Sequence, residues 1–320
     1  MIRRRNFITL LGGAAAWPLA AKAQRPARPV VGYLNLGSSR TDELGAFHKG
    51  LSELGYVEGR DVAIEYRWAN NDFSRASELA VDLVRRRVAV IAAFGASAAL
   101  AAKSATPTIP VIFLTGSDAV QSGLVNSLSR PGGNITGINS MNAGLGLGAK
   151  RLGFLHELLP QALRFGLLVQ SDAVFLAVEE AQVAAAALRT SLEVLAAGTS
   201  REIEAVFASL PQKRVDALMV APTYLFNDRR VQLTTSAVHY SIPTIFPDRR
   251  DTEFGGLMSY GPDWTDLNRQ VGVYVGRILK GASPADLPVV QPTKFTFIIN
   301  VLIGIDVPNT LLVSADEVIE

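Results

Sequence analysis

Two rhythms of apolar residues alternate along this chain, and their order constrains the fold more than any other feature. Short runs of strand length, rich in Val, Ile, Ala and Phe, are separated by longer stretches in which apolar residues recur every three or four positions; this is the pattern of parallel strands joined by crossover helices. Strands are expected at "PVVGYLN" (29–35), "VAIEYRW" (62–68), "VAVIAAF" (88–94) and "IPVIFLT" (109–115), with helices at about 41–54, 73–86 and 96–104 between and after them. About 130 residues later the order repeats, with strands at "RFGLLVQ" (164–170), "LEVLAAG" (192–198), "VDALMVA" (215–221) and "IPTIFP" (242–247) and helices at about 175–189, 200–209 and 225–240. Each half supports a four- or five-stranded parallel sheet covered by helices on both faces. The expected fold is therefore α/β, with two similar doubly wound parallel-sheet lobes.

Three extended segments join the halves: "NITGINS" (134–140), "GGLMSYG" (255–261) and "PTKFTFIIN" (292–300). Between the last two, Leu267, Val271, Val275 and Ile278 recur at helical spacing and Gly281 provides a stop, so a helix over 263–281 should return to the first lobe. The expected division is 30–136 with 262–294 for one lobe and 138–260 with 296–320 for the other, joined by a three-segment hinge. Such an arrangement suits a binding protein whose lobes close around a ligand.

The first 23 residues read as an address rather than as part of this fold. Arg3, Arg4 and Arg5 precede an apolar run from Phe7 to Ala21, which is shorter than the roughly 18 to 20 residues of a membrane-spanning helix. With the small-x-small end Ala21, Lys22, Ala23, this is the plan of an export signal cut after Ala23, and Arg4-Arg5-Asn6-Phe7-Ile8 resembles the twin-arginine motif. Pro18 and the Gly12-Gly13 pair argue against a buried helix there. Cleavage removes four of the 31 basic residues and none of the 29 acidic ones, turning a net charge of +2 into −2. The mature chain, expected in the periplasm, thus gives no electrostatic reason to bind nucleic acid or an anionic membrane. It has no cysteine, which excludes disulfides, thiolate nucleophiles and cysteine metal sites.

Several phrases resemble a known family: "DLVRRRVAVIAAFG", "LVNSLSRPGGNITGI", "AKRLGFLHELLP", "GLMSYG", "RQVGVYVGRILKGASPADLPVVQPTKF" and the terminal "SADEVIE". In this order they are similar to the ABC-transporter substrate-binding protein family that includes tryptophan-binding, TrpX-like members. The resemblance implies a type I periplasmic-binding-protein fold, a small-molecule ligand between the lobes, amino acids among the ligands, and delivery to an ABC permease and its ATPase. It also implies contact with the membrane through the permease alone, and the expected state is a monomer. The chain departs from the family's pattern in "FIINVLIGIDVPNTLL", which is several residues short, and in "PDRRDTEF" (247–254), where of the usual loop Arg249 is retained.

Motifs for chemistry are sparse. Gly144, Gly146 and Ala149 in "GLGLGAK" satisfy the loose dinucleotide pattern G-x-G-x-x-A, with Asp172 closing the next strand, but an exported chain meets little soluble nicotinamide cofactor; a glycine-rich start to a helix is the better reading. His48, His156 and His239 are scattered over separate helices, and neither an EF-hand nor a G-x-S-x-G elbow occurs. No catalytic residue, metal or cofactor is therefore expected. Ligands of doubly wound sheets lie beyond the carboxyl ends of the strands, which selects Ser38, Ser39, Ser97, Thr115 and Asp118 in the first half. Facing them are Gln170, Ser171, Asp172, Thr223, Asp248, Arg249 and, near a crossing, Tyr260. Ser38, Ser39 and Ser97 at helix starts suit a carboxylate, and Asp118, Asp172 or Asp248 an ammonium group, so the expected ligand is a small zwitterion. Two other functions fit the same lobes: an exported cofactor-dependent enzyme, and a sensor presenting its ligand to a membrane receptor.

Overall fold

A computed structural model describes residues 28–39, 41–140, 147–170 and 175–320. The expected export signal, Gly144, Gly146, Ser171 and Asp172 lie outside the described residues.

The first lobe is built on strands β1 (Val30–Asn35), β2 (Ala63–Trp68), β3 (Val90–Phe94), β4 (Val111–Thr115) and β5 (Ile135–Asn139). They form one sheet in the order β2-β1-β3-β4-β5, parallel at every pairing. Helices α1 (Thr41–Glu53), α2 (Phe73–Arg85) and α3 (Ala96–Ala105) make the crossovers. The start of α2 is set locally, because the Asp72 carboxylate accepts the free N–H groups of Ser74 and Arg75. β1, β3 and β4 are buried along nearly their whole length, and so are the continuous apolar runs that announce them in the sequence. "NITGINS", expected as a connection, instead supplies β5, because its alternating Ile135, Gly137 and Asn139 complete the hydrogen bonding of β4.

The second lobe comprises α4 (Leu147–Leu158), β6 (Arg164–Val169), α5 (Phe175–Ala187), β7 (Ser191–Ala196), α6 (Ser200–Lys213), β8 (Ala217–Val220), α7 (Tyr224–Asp228), α8 (Arg230–His239), β9 (Thr244–Phe246), α9 (Arg249–Glu253) and β10 (Met258–Pro262). After α10 (Trp264–Leu279) come β11 (Phe295–Asn300), α11 (Asn309–Ser314) and β12 (Glu317–Ile319). Its seven strands run in the order β12-β11-β10-β9-β8-β6-β7, parallel from β7 through to β10 and antiparallel only where β10 meets β11. The helix expected over 225–240 is two helices. Arg229 leaves helical geometry at φ −105°, ψ 19°, which turns α7 away from α8.

The chain passes between the sheets three times: after β5, between β10 and α10, and between the bridge at Val290 and β11. Helix α10 packs on α1 and on β3, β4 and β5, burying Leu267, Val271, Val275 and Ile278. Small residues let the two helices approach to backbone contact. A Cβ on Gly50 of α1 would lie 1.9 Å from the Arg269 carbonyl oxygen, and one on Gly272 of α10 2.1 Å from that of Phe47. In the second lobe the short C-terminal segment still docks α11, whose Leu311 is fully buried and which rests on α4. None of the described helices is long and apolar enough to cross a membrane.

Candidate ligand cleft

In both lobes the carboxyl ends of the parallel strands face the same gap, and side chains meet across it. β1 ends at Asn35, whose side-chain oxygen accepts the Gly37 N–H at 2.8 Å and so turns the chain immediately. β3 ends at Phe94 and is followed by Gly95, which adopts φ +99° before α3 begins. These two glycines form a floor for the ring of Tyr224, which comes from the other lobe. A Cβ on Gly37 would lie 2.8 Å from Tyr224 Cδ1, and one on Gly95 3.0 Å from Cε2 and 3.3 Å from the hydroxyl oxygen. Glycine is required at both positions for this approach, and at Gly95 for the backbone angle too. The Tyr224 ring thereby packs against the first lobe's apolar cluster around Leu36 and Ala98.

Tyr224 and Asp228 are the first and last residues of α7, held in place by Thr223, whose hydroxyl accepts the Phe226 N–H. Asp228 also reaches the first lobe, accepting from Ser38 Oγ at 2.8 Å and from Asn71 Nδ2 at 3.1 Å. A second bridge joins Arg250 of α9 to Glu43 of α1 at 3.4 Å. Arg250 belongs to a cluster of charges at the end of β9. Asp248 is 2% exposed and accepts from Arg250, by main chain and guanidinium, and from Arg230 at 3.4 Å. Asp251 is 3% exposed and takes Arg230 Nε at 2.6 Å. Burial pushes the Asp251 carboxyl up to about 7; the Arg230 charge opposes this and the neighbouring Asp248 charge adds to it.

The positions expected to face a ligand fall into three groups. Ser38 and Thr223 stand at the interlobe contact, the one bonded to Asp228 and the other capping α7. Thr115, Asp118 and Asp248 sit at strand ends, and each has a local partner: Thr115 Oγ1 accepts the Ser117 N–H, Asp118 Oδ1 the N–H groups of Val120 and Gln121, and Asp248 the two arginines. Ser39 is exposed, Gln170 half-buried at the end of β6. Ser97, in the first turn of α3, lines a shallow groove that α3 shares with Phe73 and Ser77 of α2. Arg249 is on the solvent side of α9, paired with Glu253 at 2.9 Å and Glu317 at 3.1 Å. Tyr260 lies on β10 with its ring edge-on to Phe154 at 5.2 Å. Successive helical residues point about 100° apart, so the inward guanidinium of α9 is that of Arg250 and not of Arg249. Ser38, selected by topology, shares the cross-lobe contacts with Asn71, Tyr224, Asp228, Arg250 and Glu43, which were not selected.

Among the described residues no group of three His, Asp or Glu side chains could hold a metal ion. His48 is engaged by the Tyr66 hydroxyl at 2.7 Å and lies 3.4 Å from Glu58. Ala149, with its preceding glycine, is part of the first turn of α4.

Two doubly wound lobes meeting at their strand ends, with three passes of the chain between them, are the type I periplasmic-binding-protein fold. A family model described as ABC transporter substrate binding protein matches residues 35–319, and the chain belongs to that family. Over 256 residues, covering 79% of this chain and 73% of the other, it is 29% identical to the tyrosine-binding protein of Clostridioides difficile strain R20291. An ABC domain from Streptococcus pneumonia in complex with L-Trp superposes with a TM-score of 0.79 at 26% identity, over 92% of this chain and 100% of that one. A conserved domain protein from Vibrio cholerae gives a TM-score of 0.79 at 23% identity, over 91% and 99% of the two chains. The ligand-free, open structure of a Clostridium difficile substrate-binding protein with adhesive properties gives 0.64 at 24% identity, over 91% and 99%.

Proposed function

We propose that this protein is the exported binding component of an ABC importer and that it captures an amino acid, with aromatic ones foremost, between its lobes. The observation that carries the reading is the pair of cross-lobe bridges. Tyr224 and Asp228 on one side and Arg250 on the other span the mouth between the strand ends, so a molecule held there is enclosed by groups of both charge signs. A zwitterion suits surroundings that carry both charge signs. The tyrosine-binding and L-Trp-bound relatives support the ligand class. Asp248 is already held by two arginines, so Asp118 and Asp172 are the ammonium partners in this reading, and Ser38 lies beside the ligand. The hinge is formed by the three passes, which fall after β5, between β10 and α10, and between Val290 and β11, a few residues from the expected boundaries. Membership of the family supports delivery of the ligand to a permease and its ATPase, and in this reading residues 1–23 direct export and are removed.

One experiment tests both ends of the proposal. Protein purified from the periplasmic fraction should begin at Gln24 on N-terminal sequencing, and should unfold at a higher temperature in the presence of L-tyrosine or L-tryptophan. At about 100 times the dissociation constant a ligand adds about 2.7 kcal/mol to stability, which for a chain of this size raises Tm by a few degrees. Stabilisation by sugars or dinucleotides alone would overturn the amino-acid assignment. Retention of Met1 in the periplasmic protein would overturn cleavage.

A further inference from the structure

Arg151, on the second turn of α4, is 4% exposed, yet its hydrogen bonding is incomplete. Its Nε donates to the Tyr260 carbonyl oxygen at 2.7 Å, while its Nη2 is buried with no hydrogen-bond partner. Burial lowers its pKa to about 10, still far above neutrality, so the group remains a cation. A buried guanidinium nitrogen without an acceptor is costly, and native structures seldom leave one unless something else completes it.

Two further observations say what is missing and where. The first is position. Tyr260 is the middle residue of β10 and follows Ser259, which pairs with Phe246 at the carboxyl end of β9; the next residue, Gly261, packs so closely on Pro247, just past β9, that a Cβ there would lie 1.9 Å from the Pro247 carbonyl oxygen. Arg151 therefore stands at the edge of the sheet where doubly wound folds hold their ligands. The second is charge. On this lobe Arg151, Arg230 and Arg250 gather around two acids, Asp248 and Asp251. Asp251 influences Arg151 through space but spends an oxygen on Arg230, and Asp248 is bonded to Arg230 and Arg250. The third acid of the cluster, Glu43, comes from the other lobe and meets Arg250. Arg151 is the member of this group to which no carboxylate is hydrogen-bonded.

We infer that Arg151 is the carboxylate-binding residue of the cleft, its free Nη2 donating to the α-carboxylate of the bound amino acid. This rests on the amino-acid reading above and deepens it, moving the carboxylate from the helix-start serines to a guanidinium, whose planar fork matches two carboxylate oxygens. The alternative is a purely architectural arginine that ties α4 to β10.

Ligands differing only in the carboxylate separate the two. By titration calorimetry, wild type should bind L-tryptophan or L-tyrosine about 100-fold more tightly than tryptamine or tyramine, the scale of a charge-assisted hydrogen-bonded pair. Arg151→Met should remove most of that preference by weakening the acids and leaving the amines nearly unchanged. Arg151→Lys, which keeps the charge and can keep the Tyr260 bond, should lose about tenfold for the acids alone; it decides the matter if the methionine variant does not fold. A folded variant that keeps the full preference, or loses acid and amine equally, overturns the assignment and leaves the amino-acid reading standing. Wild type binding neither amino acid overturns that reading, and this inference with it.

Discussion

Asp251 shows how a single side chain at the cleft reports on its surroundings. Its carboxyl is buried beside Asp248, Arg230, Arg250 and Arg151, and burial outweighs the attraction of Arg230, so its pKa in the folded protein rises to about 7, from 3.8 for an ordinary aspartate. The folded state therefore binds more protons than the unfolded state between these values, and stability falls as pH rises through this window. Wild type should accordingly unfold more readily at pH 8 than at pH 5. In Asp251→Asn, which keeps the shape and cannot ionise, that slope should be reduced; chemical denaturation at the two pH values measures it. An unchanged slope would mean that Asp251 is ionised throughout. None of this is visible in "PDRRDTEF" itself. The phrase shows three acids and two arginines, but which are buried depends on the rotation of a five-residue helix against β10 and β11.

At the scale of an element, α7 belongs to one lobe and reaches the other through its first and last residues. Its sequence, "YLFND", gives little sign of this, because a helix of five residues has too few turns for an apolar stripe to be read. Its role comes from Arg229, which breaks the longer helix expected there, and from the two glycines opposite, which leave room for Tyr224. Gly37→Ala should therefore obstruct lobe contact by pressing a methyl group on the Tyr224 ring. An overpacked contact costs about 1 to 3 kcal/mol, or roughly a tenfold to hundredfold loss of affinity for the ligand that the closed form holds. Gly37→Ala combined with Tyr224→Ala should recover most of that loss. Calorimetry on the single and double variants checks it; additive losses would show that the glycine and the ring do not meet in the bound state. Strand elements were far more legible. Continuous apolar runs located β1, β3, β4, β6, β8 and β9 to within about two residues, since a strand buried on both faces has no polar positions to blur its limits.

For the whole molecule, the cross-lobe contacts describe a closed arrangement, and three passes of chain are few enough for the lobes to swing apart. Saturating L-tryptophan or L-tyrosine should lower the radius of gyration seen by solution scattering if the free protein samples an open state. Identical profiles with and without ligand would argue for lobes that stay together. The sequence by itself determined the class of fold, its two lobes and the apolar stripe of α10, because all of these follow from the periodicity of burial, which is written locally. It also marked the strand ends as the place for a ligand, because the direction of parallel strands sets which edge is open. Only the tertiary structure decided which side chains occupy that edge. Ser38 and Asn71 meet Asp228, Glu43 meets Arg250, and Tyr224 meets the facing glycines from distant parts of the chain, and their selection depends on helix rotations and on glycine-sized gaps in a facing lobe. Such distances between far-separated residues leave no periodic trace in the order of amino acids.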